Sequence, residues 1–263
     1  MHPPGTPVAL TIAGSDSGGD AGIQADLKVF AQLKVHGVTA ITCLTAQNPG
    51  RISRLTPTAP IMVRAQLESV AAHFIPAAAK TGMLYSAAIV REVAIFFETH
   101  PKIPLVVDPV MVSTSGRRLL QPNGIEALKN RLLPLAAIVT PNLAEAEVLA
   151  GGKIRSLTHL RAAAQTIYRT FGCAALVKGG HLSESGSAVD FYYGPEGEWM
   201  ISSARTPKVV LHGAGCTYSA AITGFLALGK SNIKAIELAK DYITRAIHET
   251  RGNRRLALRP RGF

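Results

Sequence analysis

The sequence predicts an α/β fold: a mostly parallel central sheet flanked by helices. Three observations point there. Short apolar runs, "VALTIAG", "PLVVDP", "AAIVTPN" and "CAALVKGG", recur along the chain, and each ends on glycine or a polar residue. Amphipathic stretches lie between them, and repeated strand-then-helix units build a parallel sheet covered by helices. The 263 residues are 47% hydrophobic, enough for one large core. No long linker or fixed-period repeat interrupts them, so residues 1–263 read as a single domain.

In order, "VALTIAG" is a strand running into a glycine loop. Residues 22–36 follow as a helix with Ile23, Leu27, Phe30 and Leu33 on one stripe and Gly37 as its stop. "VTAITCLTAQ" is the next strand, "NPGRISRLTPTAP" a loop, and 61–74 a helix. "PLVVDP", "AAIVTPN" and "CAALVKGG" are buried-type strands. "SAVDFYY" and "EWMIS" form a hairpin around residues 194–197. Two helices, 216–228 and 231–250, close the chain.

Composition excludes several classes. No apolar run approaches the roughly 20 residues of a membrane helix, and the N-terminus has no basic segment before a long apolar one. Cys43, Cys173 and Cys216 are odd in number and widely spaced, which fits a reduced, cytoplasmic setting and neither a disulfide framework nor a zinc site. Of the net charge of +11, five units come from Arg251, Arg254, Arg255, Arg259 and Arg261. We read 251–263 as a solvated, frayed tail. Nucleic-acid binding would call for aromatic platforms among those arginines, and only Phe263 is near. The remaining positive field suits steering of a small anionic ligand.

In open α/β sheets, ligands bind at the carboxyl ends of the strands. Here those ends carry Gly14 to Gly22, Gln47, Asp108, Asn142 and Lys178. "HGAGC" is the sharpest signal. Gly213 and Gly215 permit a turn whose amides converge, and a helix opens there, with orphan N–H groups and a dipole that favour an anion. Cys216 sits in the same turn, where the helix N-terminus should lower the thiol and fit it to act as a base beside a bound phosphate. "GFLALGKS", residues 224–231, matches a phosphate-loop pattern letter for letter, but it ends a helical stretch. Its middle residues, Phe225 to Leu228, cannot line a phosphate cradle. Gly229 reads as a helix C-terminal residue.

Together "ALTIAGSDSGGDAGIQADLK", "AQN", "KTGML", "DPVMVSTSG", "TPNLAEAEVLAG", "LVKGGHL" and "HGAGCTYSAA" resemble the hydroxymethylpyrimidine/phosphomethylpyrimidine kinases of thiamine biosynthesis. They stand in that family's order and span nearly the whole chain. The resemblance implies a ribokinase-like three-layer sandwich and a homodimer. It also implies ATP- and Mg2+-dependent phosphorylation of 4-amino-5-hydroxymethyl-2-methylpyrimidine, then of its monophosphate. Gln47 matches the pyrimidine-binding glutamine, and an amide can pair with an aminopyrimidine edge as it does with adenine. Asp26 matches a substrate-contacting acid, although a carboxylate on a buried stripe could equally find a protein donor. Ala21, Met83 and Val110 match positions lining the ring. Asn142 and Glu145 form the superfamily's N-x-x-E element, which organises magnesium; the spacing is also that of a helix capping box. Asp108 adds a carboxylate near the metal, and Lys178 reaches the ATP phosphates. Gly213, Ala214, Gly215 and Cys216 supply the anion hole and base. The adenine is expected near residues 205–211 and the last two helices. Two positions depart from the family: Ala214 replaces a usual threonine, and Asp20 a usual small neutral residue. A pyridoxal-type vitamin kinase and a non-catalytic pyrimidine binder are the alternatives.

Overall fold

The computed structural model describes residues 5–48, 50–113, 116–180, 182, 187–204 and 213–249. Among these, nine strands form one sheet in the order β3-β2-β1-β4-β5-β6-β7-β8-β9. Strands β1 (Val8–Asp16), β2 (His36–Asn48), β4 (Ala78–Thr81), β5 (Leu105–Val107), β6 (Ile138–Val139) and β7 (Ala174–Lys178) run parallel. Antiparallel strands cap both edges: β3 (Arg51–Pro57) on one side, β8 (Ser187–Gly194) and β9 (Gly197–Ala204) on the other. The fully buried patterns of β4, β5 and β6 are those of central parallel strands covered on both faces.

The covering helices fall into two layers, each with its own apolar cluster. Helices α2 (Pro60–Ala71), α3 (Ala87–Thr99), α4 (Pro122–Ala127), α5 (Leu143–Ala150) and α6 (Leu157–Phe171) pack on one face, around Val63, Leu67, Val93, Leu149 and Leu160. Helices α1 (Gly22–Gln32), α7 (Ala214–Ala227) and α8 (Asn232–Glu249) pack on the other, around Phe30, Tyr218, Ile222 and Tyr242. Helix α7 is buried along 217–227, as expected of a helix apolar on all sides. None of the described helices is long and apolar enough to cross a membrane.

The outline follows the sequence, with two corrections. Helix α1 stops at Gln32 instead of 36. Lys34 adopts φ 57° and Val35 donates to the Phe30 carbonyl at 2.9 Å, which turns the chain into β2 before Gly37. The 48–60 stretch is also not simply a loop: Arg51–Pro57 is an edge strand antiparallel to β2. Its apolar residues are only half-buried, and Pro57 is tolerated at an edge. The hairpin of β8 and β9 turns where expected, at Gly194 and Gly197.

The topology also fixes the site. From β1 the chain moves outward to β2 and β3, then returns to β4 on the other side of β1. That reversal leaves a crevice at the carboxyl ends of β1 and β4.

Candidate active site

A cavity of about 780 Å³ opens at these strand ends. Its first wall is the loop after β1. The Asp16 carboxylate accepts from the amides of Gly18 at 2.8 Å, Asp20 at 3.2 Å and Ala21 at 2.9 Å, so one buried acid folds the loop. The loop clamps β2 as well: Ser17 Oγ donates to the Gln47 carbonyl and accepts from the Gln47 amide, at 2.9 and 2.8 Å. Ala21 and Gln47 thus face one chamber with Met83 and Val110.

The first turn of α7 lines the cavity next to that loop. Gly213 caps the helix at φ 82°, with no side-chain acceptor. A Cβ there would lie 1.8 Å from the Asp20 carbonyl oxygen. Glycine is required twice over, by a left-handed backbone and by the close approach of the β1 loop. Ala214, Gly215 and Cys216 follow, all lining the cavity. They occupy the positions where helix amides have no intrahelical acceptor. Asp20 meets the turn through its main chain, and its side chain is not among the cavity walls.

A charged cluster also lines the cavity. Lys178, at the end of β7, is 3.3 Å from Asp108 Oδ1. A Cβ on Gly215 would be 3.4 Å from its Nζ, so the ammonium stands beside the α7 turn. Burial works against the charge on Lys178, but Asp108 and Glu145 outweigh it and hold its pKa above the usual value. The Ser219 hydroxyl, one turn into α7, reaches both Asp108 Oδ2 at 3.1 Å and the Cys216 carbonyl at 3.0 Å. Asn142 and Glu145 form a complete capping box on α5: Glu145 N–H donates to Asn142 Oδ1 at 3.0 Å, and Asn142 N–H to Glu145 Oε2 at 2.9 Å. Both also line the cavity, so the two readings of N-x-x-E are compatible. Burial pushes Glu145 up to about 7; Lys178 opposes the rise and Asp108 adds to it.

The family model for phosphomethylpyrimidine kinase matches residues 16–256. The chain belongs to that family. It is 43% identical over 249 residues to the hydroxymethylpyrimidine/phosphomethylpyrimidine kinase of Synechococcus elongatus, covering 93% of this chain and 92% of the relative. Among solved structures, it superposes on phosphomethylpyrimidine kinase from Clostridium difficile with a TM-score of 0.81 at 40% identity, over 92% of this chain and 100% of that one. It superposes on an ADP complex of Bacillus subtilis pyridoxal kinase with a TM-score of 0.85 at 38% identity, over 92% and 91% of the two chains. The protein is an ATP-using kinase of the ribokinase-like fold.

Of the residues assigned a catalytic, substrate, ATP or metal role from the sequence of this kinase, all but one line the cavity. The exception is Asp26. Its side chain is 0% exposed, and it accepts from Lys80 Nζ at 2.9 Å and Thr11 Oγ1 at 2.6 Å. The protein donors win because they are covalently in place on the adjacent strands β1 and β4, and Asp26 lies behind the wall instead of in it. A second correction concerns the thiol. Helix position alone would lower it, but burial and then the negative charge of Asp108 push Cys216 up to about 12, against the opposing pull of Lys80. The residues expected around the adenine, 205–211, lie outside the described residues. Sequence reasoning also missed Asp16, Lys80 and Ser219. Asp16 and Lys80 were present in quoted motifs, but nothing in their spacing shows that one folds a loop and the other sits in the wall.

The phosphate-loop look-alike is disposed of by position. Gly229 has φ 76° and closes α7: Gly229 N–H donates to the Leu226 carbonyl and Lys230 N–H to that of Phe225, the pairing of a Schellman motif. We expect Lys230→Ala to leave the rate of ATP consumption unchanged. Lys178→Ala should lower it about 100- to 1000-fold, the typical loss of one positioned donor to transferring charge. The reverse pattern in a coupled ADP-release assay would place the nucleotide at the wrong end of α7.

Proposed function

We propose that this kinase phosphorylates 4-amino-5-hydroxymethyl-2-methylpyrimidine on its hydroxymethyl oxygen and then phosphorylates the monophosphate to the diphosphate, as a single kinase domain in thiamine biosynthesis. One observation carries the reading. A single cavity joins an amide-bearing apolar chamber (Gln47 with Ala21, Met83 and Val110) to a helix N-terminus bearing a thiol. The chamber suits an aminopyrimidine ring, and the helix end suits a phosphoryl group.

The hydroxymethyl oxygen attacks the γ-phosphorus; the new O–P bond forms as the β–γ bridging bond breaks and ADP leaves. Amides of the 213–216 turn hold the phosphoryl oxygens, and Lys178 balances their charge. Catalysis is mainly positioning and electrostatics. The hydroxyl proton passes to Cys216 Sγ as thiolate. At rest the thiol is protonated, since burial holds it near 12, and the Gly22 amide and Lys80 are the built-in groups that favour the anion. The second acceptor is a phosphate monoester, already largely ionised at neutral pH, and needs no such base.

The donor set also suits Mg2+. Asp108 and Glu145 line one cavity, and the charge of Asp108 contributes to the raised Glu145. A hard dication that keeps most of its waters fits such a pair. It would lie on Asp108 and Glu145, with Asn142 holding Glu145 in place, and would offset phosphate charge.

A substrate panel with purified protein, ATP and Mg2+ tests the assignment. Turnover of the aminopyrimidine alcohol and of its monophosphate is expected. The similarity to pyridoxal kinase makes pyridoxal the essential comparison, and preference for pyridoxal would overturn the assignment. The homodimer that the family resemblance implies and the cytoplasmic location that the cysteines suggest are checked by light scattering and cell fractionation.

A further inference from the structure

Gln24, from the stretch "AGIQADLK", is a polar residue that the mechanism above leaves unused. It is half-buried in the first turn of α1, and both ends of its amide are engaged. Oε1 accepts from the Asp16 amide at 2.9 Å, and Nε2 donates to Ser15 Oγ at 2.7 Å. A main-chain N–H can only donate, so the Asp16 amide dictates which end of the Gln24 side chain faces it. The NH2 end is thereby left for Ser15, whose oxygen must accept.

The consequence falls on the Ser15 proton. A serine hydroxyl carries one donor and two acceptor lone pairs. With a lone pair taken by Gln24, the O–H is turned elsewhere, and among the described residues no protein atom accepts it. Ser15 lines the cavity. Its backbone is held on two sides: its carbonyl accepts from Thr45 Oγ1 at 2.8 Å, and it pairs with Gly22 in an antiparallel bridge. Thr45 Oγ1 also lies 3.3 Å from Gln47 Oε1, so a single residue joins Ser15 to the amide assigned to the pyrimidine. A donor of set direction, on a held backbone, at the cavity surface is built as a ligand contact.

The substrate of the proposed function has one atom that calls for such a donor. Its amino group and the adjacent ring nitrogen pair with the Gln47 amide. Its hydroxymethyl oxygen faces Cys216 and the γ-phosphorus. The second ring nitrogen, remote from the amino group, is an acceptor with no partner so far assigned, and burying it unpaired would weaken binding. We propose that Ser15 binds the substrate by donating its hydroxyl to this second ring nitrogen, and that Gln24 is the positioning residue that keeps the hydroxyl pointing that way. The inference rests on the pyrimidine assignment made above. It adds a selection rule: the ring atom at that position must be a hydrogen-bond acceptor.

The test uses the full-length enzyme with ATP and Mg2+, and two alcohols: the aminopyrimidine itself and the analogue in which the second ring nitrogen is replaced by C–H. A neutral hydrogen bond is worth a net factor of about 2 to 12 in binding. One made equally in the ground and transition states acts on KM and leaves kcat alone. Ser15→Ala should therefore raise KM for the aminopyrimidine alcohol about 2- to 12-fold, with kcat within about twofold. The unchanged enzyme should discriminate against the C–H analogue by a similar factor. With that analogue Ser15→Ala should bring no further loss, as a cycle requires of two groups that act only on each other. A general disturbance of the β1 loop would weaken both compounds alike.

Gln24→Glu tests the direction of the hydroxyl. A carboxylate has no donor, so the new side chain can still accept from the Asp16 amide but must accept from Ser15 as well. The Ser15 proton then turns back toward it, and an oxygen lone pair faces the ring nitrogen. KM for the aminopyrimidine alcohol should rise at least as far as in Ser15→Ala, and the preference over the C–H analogue should vanish. Ser15→Ala removes a single oxygen and decides the matter alone should Gln24→Glu fold poorly. Equal loss of both alcohols in Ser15→Ala, a fall in kcat with KM unchanged, or an undiminished preference in Gln24→Glu would overturn the proposal. Failure of the unchanged enzyme to phosphorylate the aminopyrimidine alcohol is a distinct result. It would remove the substrate assignment, and with it the ring nitrogen that Ser15 is to meet.

Discussion

Cys216→Ala should slow phosphorylation of the aminopyrimidine alcohol by about 100- to 10,000-fold, the usual contribution of a positioned base, while the monophosphate is still converted within about tenfold of the normal rate. The asymmetry arises from the acceptors. An alcohol oxygen keeps its proton until a base takes it, whereas a phosphate monoester at neutral pH is already largely ionised. The two transfers otherwise share the nucleotide, the α7 turn and Lys178. A structural role for the thiol would therefore slow both alike. The wild-type pH profile gives the same test with the sign fixed in advance. Burial pushes the thiol up to about 12, so its active, deprotonated form is scarce at neutrality and grows as pH rises. The first transfer should accelerate through the alkaline range, and the second should not follow it. Separate assays on each acceptor, with ADP release as the signal, decide the matter; parallel profiles would remove the base role.

Gly213→Ala should be the most damaging single-atom change in the site. Alanine at φ 82° costs about 1–3 kcal/mol, and its Cβ would lie 1.8 Å from the Asp20 carbonyl oxygen. Backbone must move, and here both backbones are functional. One carries the amides of the α7 turn, and the other is the Asp16-folded loop that clamps Gln47. Misplacement by about 1 Å can cost 100-fold in rate, so at least that loss is expected, together with a lower melting temperature. Gly229→Ala is the control. It has a similar φ of 76° but nothing within 4 Å of the added Cβ, and it lies at the far end of α7. That variant should lose about 1 kcal/mol or somewhat more of stability and no activity. Activity assays and thermal melts on both variants separate the two costs, and a fully active Gly213→Ala would show that the turn tolerates displacement.

Much of the architecture was legible because parallel strands buried on both faces declare themselves as continuous apolar runs, and their polar ends mark the crevice. The elements that escaped are those whose partners are distant. Arg51–Pro57 alternates too weakly to register as a strand, and its identity comes from pairing with β2 across a turn. Lys34 ends α1 early by adopting a left-handed backbone that no rule reserves for lysine. Helices α3 to α6 show in the sequence only as amphipathic stretches, and α4 runs into irregular turns at Leu128–Leu132 and Leu133–Leu135. In the site, residue type and order pointed to about half of the cavity lining. What they could not supply was which side of the wall a charge occupies. Asp26 and Lys80 illustrate this: one lies behind the wall and one in it, and only the packing of α1 against β1 and β4 settles the order. The thiol illustrates a second gap. A helix N-terminus stabilises an anion, yet burial beside Asp108 outweighs it, and burial cannot be counted along a sequence.

The most direct test is a crystal structure of the kinase with a non-hydrolysable ATP analogue and the aminopyrimidine alcohol. The account predicts the terminal phosphate on the amides of Ala214, Gly215 and Cys216, with Lys178 beside it. The pyrimidine amino edge should lie on Gln47, and the hydroxymethyl oxygen should lie between Cys216 Sγ and the γ-phosphorus. A terminal phosphate bound away from that turn, or an alcohol oxygen out of reach of Sγ, would contradict it.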